Sequence, residues 1–409
     1  MSNDHQRLDV EFVRLALALD EHLPGYVDSY FGPSEWAQEA RQVGKLPLPD
    51  LTQRVDQLAM NVSQMNEWDL QRKDFLLHQI SAMQMSLRLL AGENVPLAEE
   101  VQALYDVQPT WKDESNFMEA QKQLDEILPA GGSLKERLER WKNSLEIPIE
   151  KVRELLPLGI NRLRELTHKK FRLPEEESFV AEFVSSQPWS AYNWYLGEFK
   201  SRIDINTDLP LRVNALPGLI AHEAYPGHHT ELCIKEAKLI RQMGFQEHVL
   251  TLINSPSCVI AEGIATTALK AVLSDDDLEE WYRKEILPRA GMPRVDPRMI
   301  IEVGRAGQKM AGLWGNAAFM LHDQKKSKHE IISYLQKYEM STEQEAEKAF
   351  QFLSNPLYRS YIFTYHVGHD LLEELFSRAD RDEYFARLLE EPVTPGQIRE
   401  WIKNESLSD

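Results

Sequence analysis

The chain has 409 residues, with 46 Lys plus Arg against 65 Asp plus Glu and a formal net charge of −19 at pH 7. No block of basic residues offers a footprint for phosphate backbones or anionic lipid, so neither nucleic acid nor a membrane surface is an expected partner. With 43% hydrophobic and 27% charged residues, the composition is that of a globular protein and not of a disordered one.

The length suggests two helical lobes, divided into 1–175 and 176–409 but forming one catalytic unit over 1–409. The first residues show no basic segment followed by an apolar one, and nowhere do eighteen apolar residues run together. Neither export nor a membrane span is therefore expected. Leu8, Phe12, Leu15 and Leu19 recur at helical spacing and predict an amphipathic helix. A Pro/Gly-rich break over 24–36 follows. From Trp68 to Leu90 the helical pattern returns with Phe75, Ile80, Met83 and Leu87, and a second break begins at Pro129. No repeat of solenoid period is present.

Between Ser178 and Thr207 the pattern changes. SFVAEFVS, WSAYNWYL and KSRIDINT alternate and are rich in β-branched and aromatic residues, which predicts three short antiparallel strands in a meander over about 178–207. Helices resume beyond it. Only two cysteines occur, Cys233 and Cys258, so no disulfide framework is available and a cytoplasmic setting is expected.

Immediately after the strands comes His222-Glu223-Ala224-Tyr225-Pro226-Gly227-His228-His229. A helical H-E-x-x-H sets two imidazoles on one face for zinc, with the glutamate as general base for an activated water. Here Pro226 stands where the second histidine would be. On a straight helix His229 would share the face of His222 but lie about 10 Å further along. Proline lacks the N–H that would bond the carbonyl of His222, and its ring clashes there, so the helix must break at Pro-Gly. The break can absorb the two extra residues and bring His228 to the second ligand position, with His229 as the alternative.

A third ligand is suggested by Glu262, the only charged residue between Val249 and Leu269. A carboxylate on so apolar a helix is costly unless it is paired or bound to metal. His222, His228 and Glu262 would leave a fourth position open, as in catalytic zinc sites. The alternatives are an incidental pair of histidines and an ordinary buried ion pair. His5, His22, His78, His168, His248 and His329 receive no role.

HEAYPGHH followed by AEGIATTA resembles the bacterial domain-of-unknown-function family numbered 885, marked by H-E-x-x-P-G-H and a downstream E-G. LPGYVDSYFGP, LRLLAGE, IDINTDLP and NPLYRSYIFTYHVG are also similar to segments of that family. The family resembles Taq-type zinc carboxypeptidases and, more distantly, neurolysin-like peptidases. This implies a mainly α, two-lobed body with a deep channel and a small sheet beside the active-site helix. It also implies one Zn²⁺ per chain on His222, His228 and Glu262, with Glu223 as general base. Ile264 stands where the family has tryptophan, which affects the pocket wall. Tyr365, in Tyr365-His366-Val367-Gly368, is similar to the family's Y-x-x-G tyrosine, a hydrogen-bond donor to the oxyanion. His366 is a further oxyanion candidate, and Arg359 a candidate clamp for a substrate carboxylate.

The expected function is thus zinc-dependent, carboxypeptidase-like hydrolysis of a short peptide or small amide. The alternatives are hydrolysis of a non-peptide amide or ester, and a non-catalytic metal-binding helical protein. Glu223 argues against the last, because a structural zinc site has no use for a general base.

Overall fold

The computed structural model describes residues 8–406 apart from 188 and 209, so His5 and position 188 within the expected meander lie outside the described residues. The protein is mainly helical, with five short strands: β1 (Val27–Tyr30), β2 (Ser178–Val184), β3 (Ala191–Gly197), β4 (Lys200–Asn206) and β5 (Leu250–Leu252). The first expected helix forms over Leu8–Asp20 and buries Phe12, Leu15 and Leu19. The second runs from Leu70 to Leu90, where the Asp69 carboxylate accepts from the backbone N–H groups of Gln71 and Arg72 and so satisfies two donors that a helix start leaves open. It buries Phe75, Ile80, Met83 and Leu87, the four positions that its periodicity singles out.

Three strands occupy the segment expected to hold them, but they do not form an antiparallel meander. The order is β2-β4-β3, with β3 antiparallel to β4 and β2 parallel to it from Ser178↔Lys200 to Val184↔Asn206. Gly197, Glu198 and Phe199 have positive φ and close a tight β3–β4 hairpin. At the other end, the Asn206 amide donates to the carbonyls of Gln187 and Trp189, holding the 185–190 connection across the end of β4. β2 therefore lies on the far edge of β4. The 24–36 break contains β1, which pairs antiparallel with β5 and slips register between Val27 and Ser29.

The hydrophobic cores cross the 175 boundary. Phe12, Leu51 and Ile80 share a core with Val249, Leu250 and Leu252, while Ala82, Val101 and Phe117 share one with Val259, Leu313 and Phe363. The largest core joins Leu145–Leu173 to residues as distant as Ile402.

Two helices run through the middle, Pro256–Val272 and Ile362–Phe376. They meet at glycines: a methyl on Gly263 would lie 2.9 Å from the Gly368 carbonyl, and one on Gly368 only 2.4 Å from the Val259 carbonyl. Gly368→Ala should accordingly lower stability by about 1–3 kcal/mol, the usual range for overpacking. Gly304→Ala, in the exposed Pro297–Gln308 helix with nothing near its added methyl, should raise stability by roughly 0.5–1 kcal/mol. Urea denaturation of the two variants checks both signs.

A candidate metal centre in a cavity

The helix Leu216–Glu223 ends inside the motif, and a new helix, His228–Lys235, begins two residues after Pro226. The Tyr225–Pro226 peptide is cis. Gly227 folds back against the end of the first helix, its N–H donating to the Ala221 carbonyl at 2.9 Å. A methyl at this position would sit 1.9 Å from the His222 carbonyl oxygen, so no other residue allows the approach. The fold-back sets the His222 and His228 rings perpendicular, with centroids 4.8 Å apart.

Glu262, in the middle of the Pro256–Val272 helix, reaches the same point. Its Oε2 lies 3.6 Å from His222 Nε2 and its Oε1 3.9 Å from His228 Nε2. Among the described residues, these three offer ligand atoms all within 4.8 Å of one another. In a tetrahedral zinc site, ligand atoms about 2.05 Å from the ion are about 3.4 Å from one another. The donor set therefore fits zinc with small side-chain adjustments. The Tyr361 hydroxyl donates to Glu262 Oε1 at 2.8 Å, whereas Oε2 is buried with no hydrogen-bond partner. A buried carboxylate with one unpartnered oxygen, set beside two imidazoles, has the donor pattern of a cation-binding site.

Electrostatics agrees with the geometry. Burial lowers His222 to about 3, with His228 adding, and lowers His228 to about 4, so both imidazoles are neutral and able to ligate. Burial raises Glu223 to about 8, with the Glu262 charge adding. Burial likewise raises Glu262 to about 8, opposed by the Tyr361 hydrogen bond and helped by the charges of Asp28 and Glu231. Two carboxyls held up in this way are a natural seat for a dication.

The cluster opens into a cavity of about 510 Å³, within the range of small-molecule sites. Glu223 and Tyr365 line it together with Asp28, Tyr192, Asn193 and Tyr361. β3 sits beside the motif, and its Asn193 amide donates to the Glu223 carbonyl at 2.7 Å. Tyr365 packs edge-on against Tyr361 with centroids 5.5 Å apart.

Two expected site residues are elsewhere. Arg359 does not line the cavity; its guanidinium makes a two-point contact with the buried Glu100 carboxylate, with Nε 3.0 Å from Oε1. That arginine is consumed as the partner of an otherwise unpaired buried charge. His366 is buried against Phe363 and faces a separate small pocket beside Gly312 and Gly315. Neighbouring helical positions point about 100° apart, so Tyr365 can face the cavity while His366 turns away.

His229 also has a different task. Its Nε2 lies 3.0 Å from Glu177 Oε2, and its Nδ1 2.8 Å from Ser201 Oγ. A carboxylate can only accept, so Nε2 carries the proton and Ser201 donates to Nδ1. Glu177 further accepts from Tyr225, Arg164 and His168 at 2.5, 2.7 and 3.1 Å. This node ties the fold-back to β4 and to the Ile149–Lys170 helix. Tyr361, Asn193 and Glu177 carry no site role in the sequence reading, and Glu177 is one of three consecutive glutamates.

No family model matches the chain, and no curated protein matches it. Among solved structures it is similar to a candidate lipoprotein from Colwellia psychrerythraea, with a TM-score of 0.52 and 13% identity over 87% of this chain and 66% of that one. It thus spans just under two thirds of that protein's length. A candidate lipoprotein of unknown function from Shewanella oneidensis gives a TM-score of 0.47 and 12% identity over 98% of this chain and 73% of that one. The first likeness concerns the fold alone.

Burial raises the Glu177 carboxyl, but hydrogen bonds from His229, Tyr225, Arg164 and His168 outweigh it and bring it down to about 2. A carboxyl whose folded value is depressed stabilises the fold above its ordinary value near 4.5, and loses that contribution as pH falls toward 2. Glu177→Ala should cost about 3–5 kcal/mol at neutral pH, since it strands a buried imidazole and a buried tyrosine hydroxyl. Its deficit relative to wild type should shrink between pH 4.5 and 2. Urea titrations across that range read both effects.

Proposed function

We propose that the chain is a zinc-dependent hydrolase acting on short peptides, with family 885 as its family and the cytoplasm as its setting. One observation carries the reading: two imidazoles and a carboxylate converge on one point of a cavity, and the residue following the first imidazole is a second, cavity-lining glutamate. HEAYPGHH and AEG, the motifs of the resemblance, contribute all four residues.

His222, His228 and Glu262 would hold the ion. The chemistry supplied by zinc, when bound, is polarisation of the scissile carbonyl and acidification of the attacking water. Glu223 accepts the water's proton on its carboxylate and returns it to the leaving nitrogen. Asn193 fixes the backbone of Glu223. Tyr361 holds Glu262 in one rotamer by occupying Oε1, which leaves Oε2 toward His222. Tyr365 presents a phenol to the cavity and donates to the carbonyl oxygen as negative charge develops there. A cavity of about 510 Å³ admits the end of a chain or a small amide and not a folded protein.

Metal analysis with a short-peptide library tests the assignment. Wild type should hold one zinc per chain. Glu223→Gln should keep the zinc and lose about 10²–10⁴-fold in turnover, the range for a general base. His228→Ala should lose the zinc, whereas His229→Gln should retain it. A wild type without stoichiometric metal, or a Glu223→Gln variant as fast as wild type, refutes the assignment.

A further inference from the structure

A carboxylate inside the cavity plays no part in the proposed chemistry. Asp28 lies in β1 where the β1–β5 register slips: Val27 pairs with Leu252 and Ser29 with Thr251, so Asp28 is the extra, unpaired residue of the ladder. Bulges of this kind re-aim a side chain and recur beside active sites. Here the side chain lines the same cavity as His222, Glu223, His228 and Glu262. It accepts a hydrogen bond from the Tyr192 hydroxyl on β3.

The surrounding charges make Asp28 an exception. Glu231 is paired with Lys235 at 2.5 Å, Glu236 with Arg241 at 2.6 Å and Glu247 with Arg72 at 2.6 Å. Glu262 belongs to the metal cluster, and Glu223 is the proposed base. Among the described residues, Asp28 is thus the one cavity carboxylate outside the proposed chemistry that has a neutral donor and no cation. Burial raises its carboxyl to about 7. A carboxylate held in a half-apolar cavity by a neutral phenol is completed by a cation from outside the protein.

We propose that Asp28, braced by Tyr192, anchors a positively charged amino group of the ligand, so that the cavity selects short peptides or amides with a free amino terminus. The proposal rests on the reading of this cavity as a hydrolase site. It also reverses the expectation of carboxylate recognition, whose arginine is engaged by Glu100.

The test separates binding from turnover. Glu223→Gln protein with zinc present is titrated calorimetrically with L-leucinamide and with N-acetyl-L-leucinamide, so that the probe is not consumed. The free amine should bind about tenfold or more tightly than the acetylated probe, as expected for one charge-assisted contact. Asp28→Asn and Asp28→Ser, each added to that background, should bring the two probes to equal affinity. Equal binding before substitution, a preference that survives either substitution, or failure of both probes to bind overturns the proposal. Should peptide hydrolysis fail in wild type while the amine preference and its loss are observed, the hydrolase reading falls and the amine anchor stands.

Discussion

A carboxylate in the middle of a helix that is buried on nearly every side is costly unless positive charge or good donors meet it, and Glu262 is such a carboxylate. Much of the surrounding architecture serves to meet it. The close approach of Gly263 to Gly368 brings in the helix that carries Tyr361, whose hydroxyl satisfies one carboxylate oxygen. His222 and His228 close the remaining sides, His222 nearest Oε2 and His228 nearest Oε1, and they reach the carboxylate because the chain doubles back at Gly227. Two backbone approaches that tolerate no side chain, at Gly227 and at the Gly263–Gly368 crossing, therefore set where the cluster forms.

Adjacent histidines divide the work of the motif. His228 turns into the cavity, while His229 turns to the Glu177 node behind it. The node is a buried carboxylate with four donors, so its charge is met by hydrogen bonds and a guanidinium, whereas Glu262 keeps one oxygen without a partner. Adjacent histidines thus meet a fully satisfied carboxylate on one side and a partly satisfied one on the other. Both carboxylates are buried, and only the one with an incomplete shell faces the cavity.

What was legible in the sequence was mostly local. The spacing of apolar residues located the Leu70–Leu90 helix, and alternation located β2, β3 and β4 within about two residues. The composition of the 249–269 stretch singled out Glu262 because that stretch carries no other charge. Long-range pairing was not legible. β1 is four residues long and its partner β5 lies more than two hundred positions away, so it read as a break. The parallel pairing of β2 depends on Asn206 holding a connection, which no periodicity records. Arg359 read as a free clamp because nothing local reveals Glu100, its partner across 259 positions. Glu177 is chemically indistinguishable in sequence from Glu175 and Glu176; burial alone selects it.

The same logic bears on why the cavity carries acids at all. A site built from neutral imidazoles and raised carboxyls gives up stability that an apolar core would keep. Burial raises both Glu223 and Glu262, and the Glu262 charge raises Glu223 further. The fold supplies this arrangement from rigid elements: one helix for Glu262, the ends of two others for the histidines, and a sheet edge for Asn193 and Tyr192. The cluster is thus positioned by secondary-structure elements, and burial is the first cause of every shift within it.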